Sequence, residues 1–142
     1  FVDSFRMGQI LQYRWTPPIY KPSANHKGLD KFMKTKFVDS VKEAFKDGGF
    51  GNFSQSTEEG DEGGTFIIAV QGTGRLFTMD PDFHIGEYDT MYMSEGSGQM
   101  SALGSLFSTS GIKSPRKRVR LALEAAAKFN MTVRPPFTII EV

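Results

Sequence analysis

The sequence predicts an α+β fold. Two stretches with apolar residues three and four apart open the chain, a β-branched run with a glycine turn occupies its middle, and two more helical stretches precede a last apolar run. Helices and strands are grouped rather than alternated, in the order helix, helix, two or three strands, helix, helix, strand. With no internal repeat, residues 1–142 are expected to form a single domain.

The elements follow from their residues. Residues 1–13 set Phe1, Phe5, Gly8 and Leu11 on nearly one face, with Val2 and Ile10 beside them, and Pro17-Pro18 ends the pattern. After a polar, turn-rich stretch at 21–28, Leu29, Phe32, Met33, Phe37, Val38, Val41, Ala44 and Phe45 recur at helical spacing. Lys31, Lys34, Lys42 and Lys46 take the far side, and Gly48-Gly49 supplies the stop. Residues 49–64, rich in glycine, serine and acid, read as a solvated loop. Residues 65–71 form a continuous apolar run that Gly72-Thr73-Gly74 separates from residues 75–79, which predicts a hairpin whose first strand is buried on both faces. Residues 83–88 and 89–93 extend the strand region. Residues 99–106 read as a helix packed closely through Ser101, Ala102, Gly104 and Ser105. Ser114-Pro115 is a helix start, and Val119, Ala122, Leu123, Ala126 and Phe129 continue a buried stripe from it. Residues 132–134 and 137–142 predict a final strand interrupted by Pro135-Pro136.

Composition removes whole classes of function. There is no cysteine, which excludes disulfides, thiolate nucleophiles, zinc knuckles and iron–sulfur clusters, and His26 and His84 stand too far apart to argue for a metal site. No metal or other cofactor is expected. The 17 Lys+Arg against 16 Asp+Glu leave a formal charge of +1, so no global field recruits nucleic acid or a membrane. No apolar run approaches the roughly 18 to 20 residues of a membrane span, and lack of cysteine suits a reducing compartment, so a cytoplasmic protein is expected. Thirteen Phe and seven Met exceed what one small core absorbs and predict a homo-oligomer. Phe1 already stands inside an amphipathic pattern, so part of the protein is expected to precede it.

Few side chains point to chemistry. Ser97 between Gly96 and Gly98 reads more readily as a turn or helix N-cap than as a catalytic hydroxyl, and no G-x-S-x-G frame ties it to a histidine. His84 reads as a strand histidine, and Asp80 and Asp82 around Pro81 as turn acids. Lys113, Arg116, Lys117, Arg118 and Arg120 form a dense basic cluster at a helix start, where positive charge opposes the macrodipole. A solvated helix face is the first reading of it; an acidic loop such as 58–62, a partner subunit or nucleic acid would relieve the charge, and with no aromatic residues between the charges nucleic acid is the weakest of these.

One ordered series of features resembles a known family. A hairpin turning through Gly72-Thr73-Gly74 is followed by Gly96-Ser97-Gly98 opening a helix of small residues, Ser114 starting another, the Ala122-Leu123-Glu124-Ala125-Ala126 stretch, and a terminal Thr138-Ile139-Ile140-Glu141-Val142. This order resembles the proteasome β-subunit family and, within it, the HslV peptidases. It covers most of the chain by order and residues 65–142 by motif. The resemblance implies the αββα four-layer sandwich of the N-terminal nucleophile hydrolases. It also implies a peptidase subunit of a ring assembly acting on peptide substrate, with an ATP-dependent unfoldase as a possible partner. In that family a threonine hydroxyl at the processed N-terminus attacks, with its own α-amino group as base and a lysine assisting. Both would lie before Phe1. Ser97 alone carries over, as the hydroxyl near the nucleophile's amine that helps relay its proton, with Gly96 and Gly98 letting the backbone pass close by. Gln99 stands where the family has a further glycine, and Lys128 where it has an acid. The alternative is a non-catalytic shell or particle component that keeps the same fold.

Overall fold

The computed structural model describes residues 5–21, 28–50 and 63–141. His26 and nearly all of the expected acidic loop lie outside the described residues. The elements are α1 (Phe5–Tyr13), α2 (Leu29–Phe32), a π-helical turn (Met33–Phe37), α3 (Val38–Asp47), β1 (Phe66–Val70), β2 (Arg75–Met79), β3 (Ile85–Glu87), α4 (Gln99–Ser108) and α5 (Pro115–Phe129). The class is α+β, and the contacts gather into two compact units, Phe1–Asp89 and Thr90–Val142.

In the first unit the helices and a small antiparallel sheet share one core. Met7 and Ile10 of α1, Leu29, Met33, Val38, Val41 and Phe45 of the long helix, and Phe66, Phe77, Met79, Phe83 and Ile85 of the sheet region are all buried. The face of α1 differs from the expected one: Met7 and Ile10 point inward, whereas Phe5 is 93% exposed. The reason is packing against α3, which engages the Met7–Ile10 side. Behind α1, the Trp15 indole donates to Ser40 Oγ at 2.8 Å and meets Phe37 edge-on at 5.6 Å, tying the chain back to the long helix.

The predicted helix over 29–45 forms with a π turn inside it, which the apolar spacing did not reveal. Its end is a Schellman motif. Gly49 adopts φ 66, its N–H donates to Lys46 O at 3.1 Å, and Phe50 N–H donates to Phe45 O at 2.9 Å. The Phe45 and Phe50 rings close the motif at 5.2 Å.

Among the described residues the sheet has three strands in the order β1-β2-β3, with Phe66 opposite Met79 and Met79 opposite Ile85. The hairpin is where the sequence placed it, but β1 is not buried on both faces. Phe66 points into the core while Ile67 is 40% exposed, and it is β2, with Phe77, Thr78 and Met79 buried in succession, that is covered on both sides. A continuous apolar run cannot distinguish the strand between two neighbours from the one at an edge. Residues 89–93 form no strand. Asp80 and Asp82 are turn acids as expected: Phe83 N–H donates to Asp80 O, and His84 N–H to Asp82 Oδ1, each at 2.9 Å. His84 itself stands exposed just before β3, its Nδ1 3.5 Å from Asp80 Oδ2.

A cross-strand ion pair gives this sheet a pH dependence. Arg75 Nε donates to Glu87 Oε1 at 2.5 Å and Nη2 pairs with Oε2. That hydrogen bond holds the Glu87 carboxyl below the usual carboxylate range, with partial burial working against it. A depressed folded-state value means the stabilisation is whole above the ordinary Glu value of about 4.3 and is lost as pH falls below it. Solvent screening limits the pair to about 0.5 kcal/mol. Glu87→Gln is therefore expected to lower neutral-pH stability by that amount and to flatten the acid limb of the urea midpoint against pH. Parallel acid limbs in parent and variant would contradict this.

The second unit is a helical hairpin. Ala102 and Leu106 of α4 pack on Ala122 and Ala126 of α5, with Tyr92 and Val133 at the margins. Ser114 caps α5 as predicted, its Oγ accepting from Lys117 N–H at 3.2 Å, and Pro115 takes the first turn. The buried stripe is shorter than expected, since Val119 is 40% and Phe129 78% exposed. The predicted final strand is absent: residues 132–141 run in turns and irregular structure. Pro135 and Pro136 have no N–H to give a ladder, and no described strand lies in this unit to receive one.

Candidate functional site

Ser97 sits at the turn into α4, and the turn is set by its glycines. Gly96 has φ 104, a conformation that favours glycine, and its carbonyl accepts from Gln99 N–H at 3.0 Å. The N-cap of α4 is Gly98, with no side-chain cap bond, so Ser97 is not the helix cap. Its hydroxyl instead lies 2.6 Å from Thr132 Oγ1. Thr132 donates both its hydroxyl and its N–H to Asn130 Oδ1, at 2.7 and 2.9 Å, and Asn130 Nδ2 donates to Ser97 O at 2.6 Å. Because the Thr132 hydrogen is committed to Asn130, the shared hydrogen between the two hydroxyls belongs to Ser97. The result is a closed ring, Ser97 to Thr132 to Asn130 and back. Ser97 is exposed, and its hydroxyl oxygen keeps the capacity to accept a hydrogen bond from outside the ring.

Sequence reasoning found Gly96, Ser97 and Gly98 but missed Asn130 and Thr132. They lie 33 and 35 residues from Ser97 and meet it only because α4 and α5 pack antiparallel as a hairpin. The local signal was an asparagine just past the last residue of α5, a residue type that bonds backbone two positions on.

Gly98 is needed for close approach rather than for backbone freedom. Its φ is −93, and a Cβ there would stand 2.8 Å from Ala126 Cβ and 2.9 Å from Val133 Cγ2. Gly98→Ala is expected to destabilise the second unit by about 1–3 kcal/mol through overpacking. Adding Val133→Ala should recover part of that loss, because it removes one of the two contacts. Thermal unfolding of the two variants decides it, and an unchanged midpoint for Gly98→Ala would show that the hairpin opens freely at this end.

The basic cluster is partly used within the chain. Arg118 Nη2 donates to Leu106 O at 2.8 Å in the last turn of α4, where a cation complements the helix dipole, and its guanidinium stacks 5.2 Å from the Tyr92 ring centre. Arg116 Nη1 lies 3.4 Å from Glu141 Oε1 in an exposed pair. Among the described residues no group of three or more His, Cys, Asp or Glu could hold a metal ion, and no helix is long and apolar enough to cross a membrane. No protein-family model, curated protein or solved structure matches the chain.

Proposed function

We propose that this chain belongs to a peptidase subunit similar to HslV and the proteasome β subunits, in which Ser97 serves a nucleophile supplied from outside residues 1–142. The observation that carries the reading is the state of the Ser97 hydroxyl. It donates into the Thr132–Asn130 ring while its exposed oxygen can still accept a hydrogen bond from an incoming amine, as a hydroxyl assisting an N-terminal threonine would. The small-residue packing of α4 on α5 beside Gly96 and Gly98 is consistent with the order of features that carries the resemblance. On this reading the three-stranded sheet is part of an αββα four-layer sandwich, its outer strands pairing further. The subunit works in the cytoplasm as a homo-oligomeric ring, with peptide as substrate and an ATP-dependent unfoldase as its partner. Phe5, 93% exposed, and Met100 and Phe107, 80% and 73% exposed on α4, supply apolar surface for such contacts.

The same ring favours one rival. Ser97, Thr132 and Asn130 close a ring of hydrogen bonds on one another, which is also what a structural clamp does, as in a non-catalytic shell or particle component of this fold. Intact mass, N-terminal sequencing and light scattering of the natural protein, combined with assays on varied small peptides, separate the two. A processed N-terminal Thr or Ser, a ring-sized mass and peptide turnover establish the peptidase. A ring without a nucleophile or turnover establishes the structural protein, and a monomer without turnover sinks both.

A further inference from the structure

The first unit contains a pocket of about 460 Å³, lined by Ile19, Tyr20 and Lys21 from the segment after α1 and by Lys31, Phe32 and Lys36 from the long helix. That volume falls within the range of about 300–1,000 Å³ typical of small-molecule sites. One part of the wall is aromatic, with the Tyr20 and Phe32 rings 5.2 Å apart and tilted by 50°. The rest is cationic. Among the described residues no carboxylate lines the pocket and none of its three lysines is in an ion pair, whereas the neighbouring Lys34, outside it, pairs with Asp30 at 2.7 Å. Three positive charges therefore collect on one pocket of a chain whose formal net charge is +1.

Lys21 comes from the segment after α1, and Lys31, Phe32, Thr35 and Lys36 share one side of the long helix, where the outermost two would stand about 140° apart around a regular α-helix axis. The π turn at Met33–Phe37 closes hydrogen bonds five residues apart. Thr35, which also lines the pocket, donates its hydroxyl to Lys31 O at 2.6 Å within this stretch. Turns of this kind are rare and concentrate at functional sites.

Like charges held together on one face repel, and a multiply charged anion relieves that repulsion. Lysine ammonium groups, as compact point charges with three donors, suit phosphate. The adjacent rings offer a stacking surface to a flat heterocycle. We propose that this pocket binds a nucleoside di- or triphosphate, its phosphates among Lys21, Lys31 and Lys36 and its base against Tyr20 and Phe32.

Calorimetric titration of the whole chain with ATP, inorganic triphosphate and adenosine, at low and high salt, tests this. ATP should bind at least about tenfold more tightly than either fragment, weaken with salt and raise the unfolding midpoint. The double variant Lys31→Gln/Lys36→Gln should lose about tenfold or more in ATP affinity, while Lys34→Gln changes it by less than about twofold. If the double variant unfolds early, Lys21→Gln, outside any helix, takes its place with the same direction of change. Failure to saturate at millimolar ATP, equal binding of inorganic triphosphate, or an equal loss in Lys34→Gln would overturn the proposal.

Discussion

Phe45→Ala is expected to destabilise the protein by about 3–5 kcal/mol, the largest stability effect of any single change considered. Phe45 is fully buried, and its ring meets Phe50 at 5.2 Å, Phe83 at 6.3 Å and Phe66 at 6.4 Å, so it joins the end of the long helix to the sheet. Truncation removes the transfer free energy of the ring and leaves a cavity that the neighbouring aromatic groups, fixed by strand and turn, cannot fill. It also removes the apolar contact that closes the Schellman motif, so the turn at Gly49 should fray first. Urea unfolding should show a lower midpoint with little change in slope. Against an ordinary domain stability of about 5–15 kcal/mol, such a loss puts a sizeable fraction of molecules near unfolding. A loss below about 1 kcal/mol would mean that Phe45 is not at the centre of the core.

If the chain belongs to the proposed peptidase, Ser97→Ala is expected to reduce peptide turnover by about a hundred- to ten-thousandfold, the usual worth of a positioned proton-transfer group. Its effect on stability should be small, about 1 kcal/mol, because the hydroxyl is exposed and contributes one hydrogen bond to the ring. Thr132→Val, which breaks the ring one step further on, should lower turnover less than Ser97→Ala while disturbing the fold about as much. The comparison separates relay from clamp. Turnover and thermal unfolding are read on the same natural protein. A Ser97→Ala protein with parental turnover and a lowered midpoint would leave the hydroxyl a structural role alone.

Much of this molecule was legible in short stretches of sequence. Leu29 to Phe45 at helical spacing, with glycine behind it, specified a long amphipathic helix and its stop, because the periodicity and the C-terminal conformation are both local. Ser114-Pro115 gave the start of α5 for the same reason, and Gly72-Thr73-Gly74 gave the hairpin. The errors fall where a residue's fate depends on a neighbour far along the chain. Phe5 and Met7 are both apolar on α1, and the surfaces it packs on, α3 and the backbone at Gly64, decide which is buried. Ile67 belongs to an edge strand and stays partly exposed, whereas Phe77 to Met79 lie between two strands; composition does not distinguish those positions. Residues 132–141 carry β-branched side chains but find no partner strand among the described residues, and Pro135-Pro136 withholds the donors.

The candidate site divides in the same way. The sequence by itself marked the Gly96-Ser97-Gly98 turn, since glycine readily adopts the positive φ seen at Gly96, whereas the need for glycine at 98 comes from Ala126 and Val133 packed against it. Only the tertiary structure decided what Ser97 is bonded to, because Asn130 and Thr132 reach it through the packing of α4 on α5, where Ala102, Leu106, Ala122 and Ala126 bring the helices together. It likewise decided that Lys21, Lys31 and Lys36 line one pocket, since Lys21 reaches the long helix only because the segment after α1 folds back on it, with Tyr20 against Phe32.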